Sequence, residues 1–406
     1  MWLPTTSISS TTERAARRVV MKRTNRVSLV LVLLALLGVF GLDAVRIQPN
    51  RIVAGTGYRL FEALGPVGLL AIVLPLCLIA GLALRGSRSG AMVMLVSAVG
   101  LLLAAPWGLG AAITTLIEPG NGAARAAIGG GTWLLIFALV LLLVDLRQRL
   151  GLGVGGGLLV ATAPVASLAM ALMQGRLDAL GLVREYLGRR EAFVDAVVDH
   201  LVLVGLAVGA SLGIAVLLAL LMRRAPRIRQ GTLGVLSFVQ TIPSLALFGL
   251  LLAPLSWLVA RYPVLESLGV QGIGLAPALL ALVGYSLLPM TRNTYIALES
   301  VDEAVIESAR GMGMGPLQVF FRVRLVLALP LIIEGVRITS VQAIGLAAVA
   351  ALIGAGGLGT LIFQGLGQAA MNLVMLGALP IVMMAMLVDA LLKALAGALR
   401  RGDADD

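Results

Sequence analysis

Long apolar runs separated by short polar stretches recur along the chain, at residues 28–44, 65–84, 91–116, 131–145, 152–173, 198–222, 232–256, 273–298, 327–350 and 373–397. A helix that crosses a bilayer needs about 20 apolar residues. The pattern therefore predicts an all-α, polytopic membrane protein with about ten transmembrane helices. Residues 1–27 are polar and basic with no apolar period, and Met21-Lys22-Arg23 reads as an alternative start. The run from Ser28 has the basic flank of a signal peptide. It is expected to stay as a helix, because Phe40-Gly41-Leu42-Asp43 lacks a small-residue cleavage site.

One stretch breaks the alternation. Residues 174–197 are amphipathic, with Leu177, Leu180, Val183, Tyr186 and Leu187 towards one side. They read either as an interfacial helix at the bilayer boundary or as a contact for an extracytoplasmic partner. His200, at the mouth of the next run, reads as an interface hydrogen-bonder rather than a pH switch.

Charge sets the expected orientation. With the N-terminus inside, the cytoplasmic segments carry 20 of the Lys and Arg residues and the opposite segments 9. Basic residues concentrate in cytoplasmic loops, so both termini and residues 299–326 are expected in the cytoplasm. Composition agrees with a membrane protein: 59% of the 406 residues are hydrophobic, 13% are charged, and the mean hydropathy is +1.02, against about a half and a quarter in soluble domains. The net charge of +11 sits in short loops rather than on a soluble face, which argues against nucleic acid as a partner.

Several chemistries are excluded. One cysteine, Cys77, cannot form an intrachain disulfide, and one His with one Cys makes no zinc site, so no metal or cofactor is expected. The only lysines, Lys22 and Lys393, do not follow glycine, so the phosphate-binding Gly-Lys-Ser/Thr ending is absent and this chain is not expected to hydrolyse ATP. Gly209-Ala-Ser211-Leu-Gly213 matches a nucleophile-elbow spacing, but an apolar membrane helix lacks the strand–turn–helix context. Gly205, Gly209 and Gly213 read instead as a small-residue face for close helix packing.

Three motifs carry the functional reading. The first is the charged, glycine-broken loop from Val301 to Pro330, in which a helical pattern through Asp302–Arg310 stops at Gly311-Met-Gly313-Met-Gly315-Pro316 and a second short helix, Leu317–Arg324, returns to the bilayer. The second is Gln240-Thr241-Ile242-Pro243-Ser244-Leu245-Ala246. Pro243 frees a backbone hydrogen bond beside polar side chains, which fits either a path-lining element or a plain kink. The third is Ile353-Gly354-Ala355-Gly356-Gly357-Leu358-Gly359, which reads as an outer re-entrant turn or gate. Gln342 and Asn372 are further path candidates, and Gly269, on an outer loop, is expected to accept a side chain.

Glu307-Ser308-Ala309, three residues, then Gly313 resembles the EAA loop of binding-protein-dependent ABC importer permeases. This sequence departs from that pattern with Ser308 in the second Ala slot and with Val323-Arg324-Leu325-Val326 in the Ile-x-Leu-Pro slot. All three motifs together resemble permeases of osmoprotectant importers, including YehY-type members with an N-terminal extension, over about residues 198–397. The resemblance implies a MetI-like five-helix core and a coupling loop formed by Glu307, Ser308, Ala309, Gly311 and Gly313 that docks on a separate cytoplasmic ATPase. It also implies an extracytoplasmic substrate-binding protein, a second permease chain, and glycine betaine, choline or related quaternary amines as solute. Gln240, Thr241, Pro243, Ser244, Gln342, Gly354, Gly356 and Gly357 are the candidate path or gate residues. The expected divisions are a cytoplasmic N-terminus (1–27), a membrane extension of about five helices (28–173), the amphipathic segment (174–197), the permease core (198–397) and a cytoplasmic tail (398–406). The alternatives are a permease for another small polar solute and an ion-coupled secondary transporter. The latter is disfavoured because ionisable residues are expected almost only at helix ends.

Overall fold

Every predicted run becomes helix. The computed structural model describes residues 25–51, 53–118, 121–267 and 269–402; the basic stretch up to Thr24, with Met21, and the last residues of the tail lie outside them. Eight helices are long and apolar enough to cross a membrane. Two predicted runs lie on helices outside that set: residues 28–44 fall on a helix of only 16 residues, and residues 327–350 on a helix with two charged side chains midway. The all-α membrane class holds. The chain forms two compact units, Met1–Leu187 and Gly188–Asp406.

In the first unit, α1 (Arg26–Gly41) starts at Asn25, whose side chain accepts from the Ser28 N–H at 3.1 Å. It is followed by α2 (Leu60–Arg85), α3 (Arg88–Leu116), α4 (Gly130–Leu150), α5 (Val154–Met173) and the short α6 (Gly181–Leu187). Three short antiparallel strands not expected from the sequence join their loops: β1 (Val45–Gln48) pairs with β2 (Thr56–Tyr58) and β3 (Arg125–Ile128), with Val45 opposite both Tyr58 and Ile128. Segments of three or four residues carry no readable period, and the β1–β3 pairing spans most of this unit.

The amphipathic segment packs against this sheet. Leu177 and Leu180 are buried at 1% and 5% exposure in the core of this unit, and Ala126 bridges to Leu180. Glu185 accepts from Arg51 Nε and Arg125 Nη1, both at 2.7 Å. The first half of 174–197 therefore packs onto the sheet layer through Leu177, Leu180 and Glu185. From Arg190 the second half is already the long helix of the second unit.

That unit comprises α7 (Arg190–Met222), α8 (Pro226–Thr241), α9 (Ser244–Arg261), α10 (Val264–Ser267), α11 (Leu275–Glu299), α12 (Glu303–Gly311), α13 (Pro316–Val319), a π-turn (Phe320–Arg324), α14 (Leu325–Ala350), α15 (Gly359–Gly367) and α16 (Met371–Gly402). α11 packs against α7 and α14, and α14 against α16. The small-residue face of α7 is not the glycine stripe predicted. Ala207, Ser211, Ala215 and Ala219 are the buried stripe, while no atom comes within 4 Å of a side chain built at Gly205, Gly209 or Gly213. Two stripes of period four lie side by side on this helix, and periodicity alone does not choose between them. Close approach by glycine occurs elsewhere: a Cβ on Gly377 of α16 would lie 2.7 Å from the Leu358 carbonyl oxygen.

Candidate functional site

Asp302 begins the loop helix α12, its carboxylate accepting from the Ala304 N–H at 3.0 Å. The inner edge of α12 is apolar: Ile306 and Ala309 are buried against Ala297, Leu298, Val319 and Ala328. The outer edge shows Glu307 and Ser308, both exposed, with Ser308 Oγ donating to the Ala304 carbonyl at 2.8 Å. At the helix end Gly313 adopts φ +85° and the Met314 N–H reaches back to the Ala309 carbonyl at 3.2 Å, a closure that the left-handed glycine permits. The space over Gly311 and Gly313 is open. The five coupling-loop candidates thus lie together on α12 and its C-terminal turn, with Ala309 as the inward anchor.

What ties this loop to the bundle is Arg324. Counted in the sequence as a loop cation, it is 7% exposed, donates Nη1 to the Leu298 carbonyl at 3.4 Å and Nη2 to Glu303 Oε2 at 3.2 Å. It ends the π-turn that replaces the proline-marked start of the returning helix, and the chain runs helically from Pro316 into α14 past Pro330. Arg223, Arg310 and Arg324 line a cleft of about 220 Å³ with Ile306, Pro316, Val319 and Phe320. Glu299 and Glu303 partner these arginines, at 2.6 Å from Arg223 and 3.9 Å from Arg310.

The Pro243 motif is a helix break rather than a kink. α8 ends at Thr241, Ile242 is extended, and Pro243 is the N-cap of α9, with the half-buried Ser244 as its first residue. The predicted run 232–256 is accordingly two helices. The polar side chains serve the freed backbone: Gln240 Nε2 donates to the Tyr285 carbonyl at 2.8 Å, Thr241 Oγ1 to the Phe238 carbonyl at 2.7 Å, and the Tyr285 hydroxyl to the Ile242 carbonyl.

Gly354, Gly356 and Gly357 all have positive φ, between +76° and +80°. A Cβ at Gly356 would lie 2.8 Å from Asp199 Oδ2, and one at Gly357 would lie 3.2 Å from His200 Nδ1. The turn is held on its other side by the Gly274 N–H, which donates to the Ile353 carbonyl at 2.9 Å. His200 itself is fully buried, nearly three turns inside α7, with Nε2 at 3.1 Å from the Ile344 carbonyl of α14. On α7 it packs against α14 and the glycine turn, inside a helix rather than at its mouth. Gln342 is half-buried on α14, and Asn372 half-buried at the start of α16.

Sequence reasoning places Arg337 within a helix but does not find its partners. Arg337 in α14 donates Nε to Glu334 Oε2 at 2.9 Å and Nη1 to Asp389 Oδ1 of α16 at 2.8 Å. The expectation that the helices hold almost no ionisable residues away from their ends is therefore corrected. Scattered single charges in long apolar runs look incidental until two helices bring them into contact. Among the described residues no group of His, Cys, Asp and Glu has the geometry of a metal site.

Eight long apolar helices, with a short, glycine-turned helix whose outer edge is exposed, are the features of a polytopic membrane protein. Its family follows from comparison with known proteins. A family model described as the inner membrane component of binding-protein-dependent transport systems matches residues 211–402, and one described as the N-terminal domain of ABC transporter permease YehY matches residues 23–183. The chain is 41% identical over 197 residues to the osmoprotectant import permease protein OsmW of Salmonella typhimurium, covering 48% of this chain and 86% of that one. It is 37% identical to the carnitine transport permease protein OpuCB of Listeria monocytogenes (47% and 80% covered) and 34% identical to the choline transport system permease protein OpuBB of Bacillus subtilis (47% and 81% covered). The chain belongs to the family of binding-protein-dependent ABC transport permeases.

Proposed function

We propose that this permease is the transmembrane subunit of an ATP-driven importer of glycine betaine, choline or related quaternary amines, and that residues 302–325 couple it to a separate cytoplasmic ATPase. The observation that carries the coupling assignment is α12. Its inner edge is anchored by Ile306 and Ala309 while its outer edge and the Gly311–Gly313 turn stand in open space. A solvated loop that only reverses the chain has no need of a buried arginine fastening it to the returning helix.

The mechanism follows from the connectivity. ATPase closure moves α12 as a body; Glu303–Arg324 and the π-turn pass the motion to α14, a rod of 26 residues and about 39 Å. Towards its far end that rod meets His200 at Ile344, and the turn just beyond it meets Gly274 at Ile353, where the positive-φ glycines can exchange conformations at low cost. An extracytoplasmic binding protein delivers solute on that side, and a second permease chain completes the passage. Both termini are cytoplasmic in this reading, and ATP hydrolysis belongs to the partner. The substrate reading rests on the printed roles of the osmoprotectant, carnitine and choline relatives. With aromatic residues only 4% of the chain, selection of the quaternary ammonium by an aromatic cage falls to the binding protein.

The test is uptake of labelled glycine betaine and choline in cells lacking all other importers of these solutes, with and without this chain. Uptake is expected to require it, and equal uptake in its absence eliminates the substrate assignment. Ion-coupled secondary transport, which the Glu334–Arg337–Asp389 cluster brings back into view, predicts accumulation without the ATPase; the coupling reading predicts none.

A further inference from the structure

Three guanidinium groups share the cleft beside α12. Arg223, Arg310 and Arg324 reach it together with Ile306, Val319 and Phe320. Against them stand two carboxylates: Glu299 pairs with Arg223, while Glu303 is divided between Arg310 at 3.9 Å and Arg324 at 3.2 Å. The Arg310 side chain is 62% exposed. Arg322, two residues before Arg324, is exposed as well and forms no ion pair among the described residues. The cleft and its rim thus keep a surplus of positive charge beside an apolar wall.

The register of α14 on α16 decides which part of the chain comes near that surplus. A Cβ on Gly359 would meet the Ala348 carbonyl near the end of α14, and one on Gly377, near the start of α16, would lie 2.7 Å from the Leu358 carbonyl. Residues 348 and 377 are therefore held together through the Leu358–Gly359 step. Farther along, Arg337 meets Asp389. Moving back along α14 thus means moving forward along α16: the helices run antiparallel, and the same register sets Leu325, next to Arg324, level with Arg401. α16 ends at Gly402, and Asp403-Ala404-Asp405-Asp406 follow in the sequence, outside the described residues. Four residues span up to about 14 Å, more than the 8–10 Å or so between the axes of two packed helices.

We infer that the acidic segment Asp403–Asp406 docks its carboxylates on the Arg223–Arg310–Arg324 cleft and so fastens the end of α16 to the loop helices. Carboxylates beyond a helix C-terminus face the negative end of its dipole, and a partner of positive charge offsets that repulsion. Arg400 and Arg401 precede the segment in the sequence and are the competing partners. Exposed pairs at a helix end contribute little, however, whereas the cleft offers guanidinium groups partly withdrawn from water, with Arg324 only 7% exposed, where charge-assisted hydrogen bonds are stronger. Salt screens such a contact, so it opens and closes without unfolding either helix. The contact follows from charge and register alone and does not depend on the importer reading.

The experiment uses the full chain in its complex in membrane vesicles. Cys77→Ala removes the one cysteine; Ala404→Cys then places a thiol among the carboxylates, and Pro316→Cys places one on the cleft wall. Under mild oxidation an intrachain disulfide is expected, read as a shift of the monomer band under non-reducing conditions. Its rate is expected to fall about tenfold when Asp403→Asn, Asp405→Asn and Asp406→Asn are combined. A similar fall is expected between about 0.01 M and about 1 M salt, over which the Debye length shrinks from about 30 Å to about 3 Å. Arg310→Gln is expected to slow the reaction too, whereas Arg400→Gln with Arg401→Gln, which removes only the local partners, is expected not to. If Pro316→Cys fails to insert, Leu317→Cys, exposed beside it, takes its place. No disulfide, a disulfide only between two chains, or a rate unchanged by the neutral aspartates or by Arg310→Gln overturns the proposal.

Discussion

Gly313→Leu separates the two demands placed on the coupling turn. The residue sits at φ +85°, where an L side chain costs about 1–2 kcal/mol. No atom of the chain lies within 4 Å of the added Cβ, so no internal clash adds to this cost. Confined to an exposed turn, it leaves insertion and folding intact but lowers the population of the docking-competent turn roughly 5- to 30-fold. A bulky side chain projecting into the open space then meets whatever docks there, and transport is expected to fall below that backbone effect alone. Gly313→Asn isolates the backbone part, because asparagine tolerates the left-handed region several-fold better than other residues. The assay is binding-protein-stimulated ATP hydrolysis and solute uptake in proteoliposomes, normalised to inserted protein, with co-purification of the ATPase as a separate readout. Leu is expected to abolish both activities. Asn is expected to retain part of them if conformation dominates, and none if close approach does. Gly269, expected from the sequence to be a silent control, is unsuitable, since it too has positive φ at +79°. Gly249→Ala in α9, helical and with open space around it, is the proper control. A Gly313→Leu protein that inserts normally, binds the ATPase with wild-type affinity and transports at the wild-type rate refutes the coupling assignment.

Glu185→Ala leaves Arg51 and Arg125 facing each other without their shared acceptor. With Glu185 at 4% exposure and the arginines at 31% and 22%, a loss of about 3 kcal/mol is expected, the low end for broken buried pairs, read as a lower unfolding midpoint in detergent; an unchanged midpoint contradicts it. Gly377→Val puts a branched side chain where the Leu358 carbonyl and Ile362 stand at 2.7 Å. It is expected to cost about 1–3 kcal/mol by overpacking, read as increased protease sensitivity of α15 and α16. Gln240→Ala removes the tie from α8 to the Tyr285 carbonyl at about 1 kcal/mol. It is expected to lower the transport rate while leaving stimulated ATP hydrolysis near normal, and equal loss of both activities would place the break in coupling instead.

How much of this was legible depends on the range of the interaction. Ten apolar runs predicted helices because a backbone in lipid must satisfy its own hydrogen bonds, and one helix does so locally. The Gly311–Pro316 turn was readable for the same reason: glycine and proline act through their own dihedrals. So was the break at Pro243, although the sequence left open whether it bends the helix or ends it, which was decided by the Gln240 and Tyr285 hydrogen bonds across two helices. The small sheet stayed hidden because β1 and β3 are joined only by the fold of the first unit. So did the closure of residues 177–185 onto that sheet, since an amphipathic stripe looks the same whether it covers lipid or a protein core. Sequence identified Gly205, Gly209 and Gly213 as small, but which of two adjacent stripes on α7 is buried was settled by α11. Arg324, His200 and the Glu334–Arg337–Asp389 cluster follow the same division. Residue type, period and backbone chemistry are properties of neighbours along the chain, whereas the partner of a charge or a ring is a property of neighbours in space, and only packing brings residue 337 to residue 389.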